Sequence, residues 1–175
     1  VAANGHATSL WMRDPDQVAE SLIHRENTRY LPGHPLEGLL VPTDDLESAA
    51  ADAEIIFVTV PSYGFRDICR QLAPFVRKSD LLVSGTKGIE PVSFRLMSQL
   101  IAEHTPSEHI GVLSGPNFAE EIADKHYTGS VLASESAQVR AKVQEVMRSE
   151  TFRVYPSQDI FGVELGGALK NIYAI

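Results

Sequence analysis

Glu54-Ile-Ile-Phe-Val-Thr-Val60, followed at once by Pro61-Ser62, decides the fold. Apolar residues occupy both faces of a period-two repeat, so this strand is covered on both sides, as a central parallel strand is. Pro61 ends it, because proline has no N–H to give a ladder. A helix is predicted from there to about residue 76, with Phe65, Ile68 and Leu72 at helical spacing. Cys69 lies in the same apolar pattern and is expected to be a buried thiol, with no second cysteine to pair with.

The alternation continues downstream. A second buried strand at 80–84 stops at Gly85-Thr-Lys-Gly88, and an amphipathic helix follows at 94–104. Then come a strand at 110–113, the turn Ser114-Gly-Pro-Asn117, a helix at 118–125, a strand at 129–133, a helix at 137–148 and a strand at 151–155. Upstream, 7–12 reads as a short strand. Asp14 caps a helix to 24 whose inner face is Val18, Leu22 and Ile23, 25–43 is irregular, and 44–52 is a short helix. Strand and helix in strict alternation predict an α/β fold with a doubly wound, mostly parallel sheet.

In such sheets ligands bind beyond the carboxyl ends of the strands. Those ends read Arg13, Pro61-Ser62, Thr86-Lys87-Gly88 and Ser114-Gly115-Pro116-Asn117, four polar or glycine-bearing turns expected to line one rim. Lys87 follows a buried strand and can bind an anion or polarise a carbonyl, or it is an ordinary turn lysine. The Ser114–Asn117 turn offers free backbone N–H groups to an oxyanion, or it is an ordinary helix start. Arg13 at the end of its strand can accept a 2′-phosphate, although Asp14 beside it suits a free ribose hydroxyl. Phe65 either stacks on a cofactor or packs in the core.

The last predicted helix begins near 158 or 159 and carries Glu164-Leu-Gly-Gly-Ala-Leu-Lys-Asn171. Leu165, Leu169 and Ile172 suggest one buried stripe, with Gly166 and Gly167 one turn before Lys170. Two glycines inside a helix cost roughly 1 kcal/mol each relative to alanine. Something is therefore expected to approach the backbone there, leaving Lys170 placed for proton transfer. The alternative is a seam for helix crossing, with Lys170 reaching solvent.

At 175 residues, 43% hydrophobic and net charge −8, the chain has no basic run. Nucleic acid is not the expected partner, no apolar run approaches the ~20 residues of a membrane span, and the histidines show no metal spacing. A cytoplasmic protein is expected. The chain opens without Met and closes on Ile175 inside an apolar helix, which suggests a piece of a longer protein.

Six stretches together resemble bacterial NAD(P)-dependent glycerol-3-phosphate dehydrogenase. They are Arg29-Tyr-Leu-Pro-Gly33, Val60-Pro-Ser62, Thr86-Lys-Gly-Ile-Glu90, Val112-Leu-Ser-Gly-Pro-Asn-Phe-Ala-Glu-Glu121, Phe152-Arg-Val-Tyr155 and Gly162-Val-Glu-Leu-Gly-Gly-Ala-Leu-Lys-Asn171. The likeness runs through the whole chain in order. It implies a Rossmann-like dinucleotide-binding domain at 1–156, lacking its first strand and glycine-rich phosphate turn. The first helix of an all-α substrate domain would follow at 157–175.

The resemblance implies interconversion of sn-glycerol 3-phosphate and dihydroxyacetone phosphate with NADP(H) or NAD(H), for glycerophospholipid synthesis, in a homodimer. Lys170 becomes the proton acceptor and donor, and Lys87 touches both substrate and nicotinamide. Gly115 and Asn117 meet the substrate, while Ala119 and Arg13 serve the cofactor; Phe65 is counted with them on its place one turn into the helix after Pro61 alone. The piece alone is expected to be inactive. At 126–129 the chain departs from the family, with His126-Tyr-Thr-Gly129 where Leu-Pro-Thr-Ala is usual. The β-hydroxyacid and 6-phosphogluconate dehydrogenases would place an asparagine at 174, where this chain has Ala. A non-catalytic domain sensing dinucleotide redox state is the remaining alternative.

Overall fold

The computed structural model describes residues 1–170. In chain order the elements are β1 (Thr8–Trp11), α1 (Pro15–His24), β2 (Glu26–Asn27), β3 (Leu31–Pro35), β4 (Leu40–Thr43), α2 (Leu46–Ala50), β5 (Ile55–Val58), α3 (Phe65–Leu72), β6 (Leu81–Ser84), α4 (Met97–His104), β7 (His109–Ser114), α5 (Ala119–Ala123), β8 (Thr128–Ala133), α6 (Ala137–Met147), β9 (Phe152–Ser157) and α7 (Ile160–Leu169).

Five strands form one sheet in the order β5-β6-β7-β8-β9. Every ladder in it is parallel except β7–β8. β1 and β4 form a separate parallel pair, and β1 shares no ladder with β5 among the described residues. β6 shows why the sheet is wound on both faces. All four of its residues are buried. Leu82 joins a core with Phe65, Leu72, Leu100 and Ile101, under α3 and α4. Leu81 and Val83 join a second core with Leu132, Val139 and Val143, under α6. Successive side chains of a strand point to opposite faces, so one strand feeds both layers. Fully burying a Leu or Val contributes about 1.5–3 kcal/mol, which makes β6 the central staple. Cys69 is completely buried in the first core, and burial pushes its thiol up to about 12.

Several sequence readings are corrected. α1 is capped by Asp14 as expected, but its buried residues are Val18 and Ser21. Leu22 is 46% exposed and Ile23 76% exposed, because the helix meets β4 and β2 along the other edge of its apolar stripe. The stretch 25–43 is not irregular: β2 and β3 form an antiparallel hairpin and β4 pairs with β1. The predicted 94–104 helix starts only at Met97, since Phe94 has φ +56, outside the helical region. In α7 the buried residue is Glu164, while Leu165 and Leu169 are half-buried, so the leucine stripe does not face the core. Ile172 of that stripe, Asn171 of the motif and Ala174 lie outside the described residues.

Candidate active site at the carboxyl ends of the strands

The turns after β5 and β6 are sealed together. Thr86 Oγ1 donates to Val60 O at 2.6 Å and lies 3.3 Å from Val58 O. Gly88 has φ +137, and a Cβ there would sit 3.1 Å from the Ser62 side chain, so both backbone shape and space call for glycine. Beyond it, Glu90 takes a two-pronged ion pair from Arg66 of α3, at 2.7 and 2.8 Å. The Arg66 guanidinium holds the Glu90 carboxyl down at about 2. Lys87 is thus carried on a turn braced on both sides.

The turn after β7 lies flat on β8. A Cβ on Gly115 would come within 2.9 Å of Gly129 O and 3.2 Å of Ser130 Cα. Asn117 Nδ2 donates to the buried Ser130 Oγ at 2.5 Å. Asn117 Oδ1 is buried with no partner among the described residues. An orphaned buried acceptor costs about 1–3 kcal/mol, so this oxygen is suited to a donor from outside the chain.

α7 closes the arrangement. Asp159 caps it by accepting from Gly162 N at 2.8 Å, and the helix packs on β7 and β8. Gly167 is the point of closest approach, where a Cβ would meet Ser114 Oγ at 2.5 Å and Lys87 Cγ at 3.7 Å. Gly166 has nothing within 4 Å among the described residues. The glycine pair is therefore half explained: one residue admits the turns of the sheet, and the other leaves an open face. Lys170 Nζ stands 5.5 Å from the centre of the Phe118 ring. Burial, and behind it the charge of Lys170, hold the Lys87 ammonium below the usual lysine range. The two lysines lie within Coulombic reach of each other, although 83 residues separate them. Two lysines in Coulombic reach of each other, at the end of α7 that carries the open Gly166 face, can hold an anion and move a proton to or from an oxygen.

The structure brings Lys87, Gly115, Asn117 and Lys170 together. Ala119 is exposed at the first turn of α5, next to Phe118. Arg13 is exposed past the end of β1, on the other strand pair, and makes no ion pair among the described residues. Its neighbour Asp14 is engaged by Arg29 at 2.6 Å. Phe65 is 0% exposed inside the first core. It has no surface to give a cofactor, so of its two readings the core one holds and the cofactor one is corrected. Sequence reading places Ser114 on the rim without a role of its own, and misses Phe118 and Glu164. Phe118 is signalled by an aromatic residue in a polar rim motif; the contacts of Ser114 and Glu164 become visible only once α7 is docked.

A profile described as the N-terminus of NAD-dependent glycerol-3-phosphate dehydrogenase matches residues 1–140. The chain is 51% identical, over all 175 residues, to a protein of Teredinibacter turnerae named glycerol-3-phosphate dehydrogenase [NAD(P)+], of which it covers 52%. It is 50% identical over its full length to the protein of that name from Saccharophagus degradans, covering 49% of it. The crystal structure of a glycerol-3-phosphate dehydrogenase from Coxiella burnetii superposes with a TM-score of 0.93 at 33% identity, over 99% of this chain and 53% of that one. The chain spans about half the length of the curated relatives it matches.

Proposed function

Since the chain belongs to the NAD-dependent glycerol-3-phosphate dehydrogenase family, we propose that it forms the nucleotide-side half of an enzyme interconverting sn-glycerol 3-phosphate and dihydroxyacetone phosphate. The observation that carries this reading is the meeting of the Lys87 turn with the Gly167–Lys170 end of α7. The residues present fit a nicotinamide dinucleotide and a small polar substrate, because Asn117 Oδ1 lacks a donor and the Gly166 face is open among the described residues. When bound, the dinucleotide supplies a hydride to the substrate's C2 in one direction and accepts it in the other.

The chain's own residues handle the charge and the proton. In reduction, the C2 carbonyl oxygen gains the negative charge as the hydride arrives. Lys170 Nζ gives that oxygen a proton, and in oxidation takes it back from the hydroxyl. Lys87, half-buried and preset by its braced turn, opposes the developing charge without having to move, which is where electrostatic stabilisation is strongest. Gly115 and Asn117 orient the substrate through the turn after β7. Ala119 lines the cofactor side, and Arg13 meets the adenosine end, leaning the choice toward NADP(H) over NAD(H).

The same reading includes a boundary near 156, with residues 157–175 opening a helical substrate domain. It also includes homodimeric assembly, a cytoplasmic location, a role in glycerophospholipid synthesis and no nucleic-acid partner. What supports these is the family and the acidic composition without a basic run; no helix among the described residues is long and apolar enough to cross a membrane. The test is Lys170→Ala in the protein encoded by the full reading frame. Turnover is expected to fall by about 10²–10⁴-fold while NADPH still binds. Unchanged turnover would overturn the proposal, and a domain that only senses dinucleotide would keep its ligand response in this variant.

A further inference from the structure

Glu164 is the one residue of α7 that is fully buried, at 6% exposure, and the chemistry above does not use it. Its carboxylate accepts from Ser98 N at 2.9 Å and from Ser98 Oγ. Ser98 is the second residue of α4, whose N-cap, Leu96, has no acceptor to offer the free N–H groups of the first turn. Glu164 therefore acts as the missing cap from 66 residues away. α4 is a firm anchor, since Met97, Leu100 and Ile101 are all completely buried.

At about 100° per residue, Glu164, Gly167 and Lys170 follow one another around the helix in steps of roughly 60°. Gly167 lets α7 come close to Ser114 and Lys87, but a bare glycine cannot index rotation. Without another fixed point, turning α7 by about 10° would move a group ~6 Å from the helix axis by roughly 1 Å. Misplacement on that scale can cost about 10²-fold in rate.

We propose that Glu164 is a positioning residue for Lys170: docked on the amino end of α4, it sets the rotation at which α7 presents the lysine to the Lys87 turn. The inference rests on the proton-transfer role of Lys170. What is required is the pair of hydrogen bonds, not the charge. Burial already pushes the carboxyl above its usual range, and a glutamine would accept from Ser98 N and donate to Ser98 Oγ.

The test uses the protein from the full reading frame, with turnover, KM and NADPH affinity measured for Glu164→Ala, Glu164→Gln, Lys170→Ala and the Glu164→Ala/Lys170→Ala double variant. Glu164→Ala is expected to lower kcat by about 10–10²-fold with NADPH affinity unchanged, and Glu164→Gln to restore most of it. In the Lys170→Ala background, Glu164→Ala should cost nothing further. Normal kcat in Glu164→Ala beside a crippled Lys170→Ala overturns this inference alone, as does an equal loss in both backgrounds, which marks a support of the fold. Normal turnover in Lys170→Ala overturns the underlying chemistry as well. If Glu164→Ala does not fold, Ser98→Ala, which removes one of the two donors, should lower kcat only when Lys170 is present; an unchanged kcat there overturns the inference.

Discussion

Gly166 and Gly167 are adjacent, and their substitutions should pull in opposite directions. Gly166 faces open space among the described residues, so Gly166→Ala is expected to stabilise the chain by up to ~1 kcal/mol through helix propensity alone, read as a higher denaturant midpoint. Gly167→Ala puts a methyl 2.5 Å from Ser114 Oγ. The hydroxyl must swing away or α7 must back off the sheet, so the midpoint should fall, and Ser114→Ala should recover part of the loss. Equal effects at the two positions would contradict the packing described. The sequence points to an approach at the glycines, but not at which of the two or by what. The approaching groups are Ser114 and Lys87, distant in the chain, and no local pattern encodes that contact. Lys87 carries a second expectation. Its ammonium is held low by burial first and by Lys170 second, so an anion bound through it should be released at a lower pH than from an ordinary lysine. Lys170→Met removes the second cause, and the alkaline limb of substrate binding should move to higher pH. A limb that stays put would separate the two lysines.

The braced turn between β6 and α4 lets an element's contribution be read through pH. Arg66 joins α3 to Glu90, and also reaches Glu103 of α4 at 3.2 Å. Glu90 is held at about 2 in the folded chain, against an unfolded carboxyl near 4.3. A depressed folded value gives stability that is full above the unfolded value and is lost as pH falls through the folded one. Glu90→Gln should therefore lower the thermal midpoint at neutral pH, and the gap to the parent should close as pH falls from about 4 toward 2. A gap independent of pH would mean the pair contributes shape rather than charge. Elements of this kind were unevenly legible. β5, β6 and β7 announce themselves because strands buried on both faces are continuous apolar runs. β4, Leu40-Val-Pro-Thr43, does not, because it pairs only with β1 among the described residues and carries a proline that an edge strand tolerates. The covered face of α1 is not legible for a related reason, since which edge of its apolar stripe is buried depends on its packing against β4, a strand with no signature of its own.

Across the whole molecule, the site was legible as far as topology dictates it. A parallel sheet gathers the turns at its strands' carboxyl ends, so rim motifs spaced through the chain could be assigned to one place. What topology does not dictate stayed hidden: the Glu164–Ser98 dock, the Phe118 ring beneath Lys170 and the orphaned oxygen of Asn117. The same gathering sets the electrostatics. A chain of net charge −8 concentrates two lysines at one point, and salt distinguishes their field from that of the scattered surface acids. Between about 0.01 and 0.15 M salt the screening length shrinks from roughly 30 to 8 Å. Charges spread over the surface then lose most of their influence, whereas a half-buried ammonium acting at contact loses little. Lys87→Ala is therefore expected to lower kcat/KM for the phosphate-bearing substrate by a similar factor at both ends of that range. A loss that is large at low salt and vanishes at 0.15 M would mean Lys87 attracts substrate from the open rim, and the half-buried Lys87 ammonium on which the proposed chemistry depends would not act at contact.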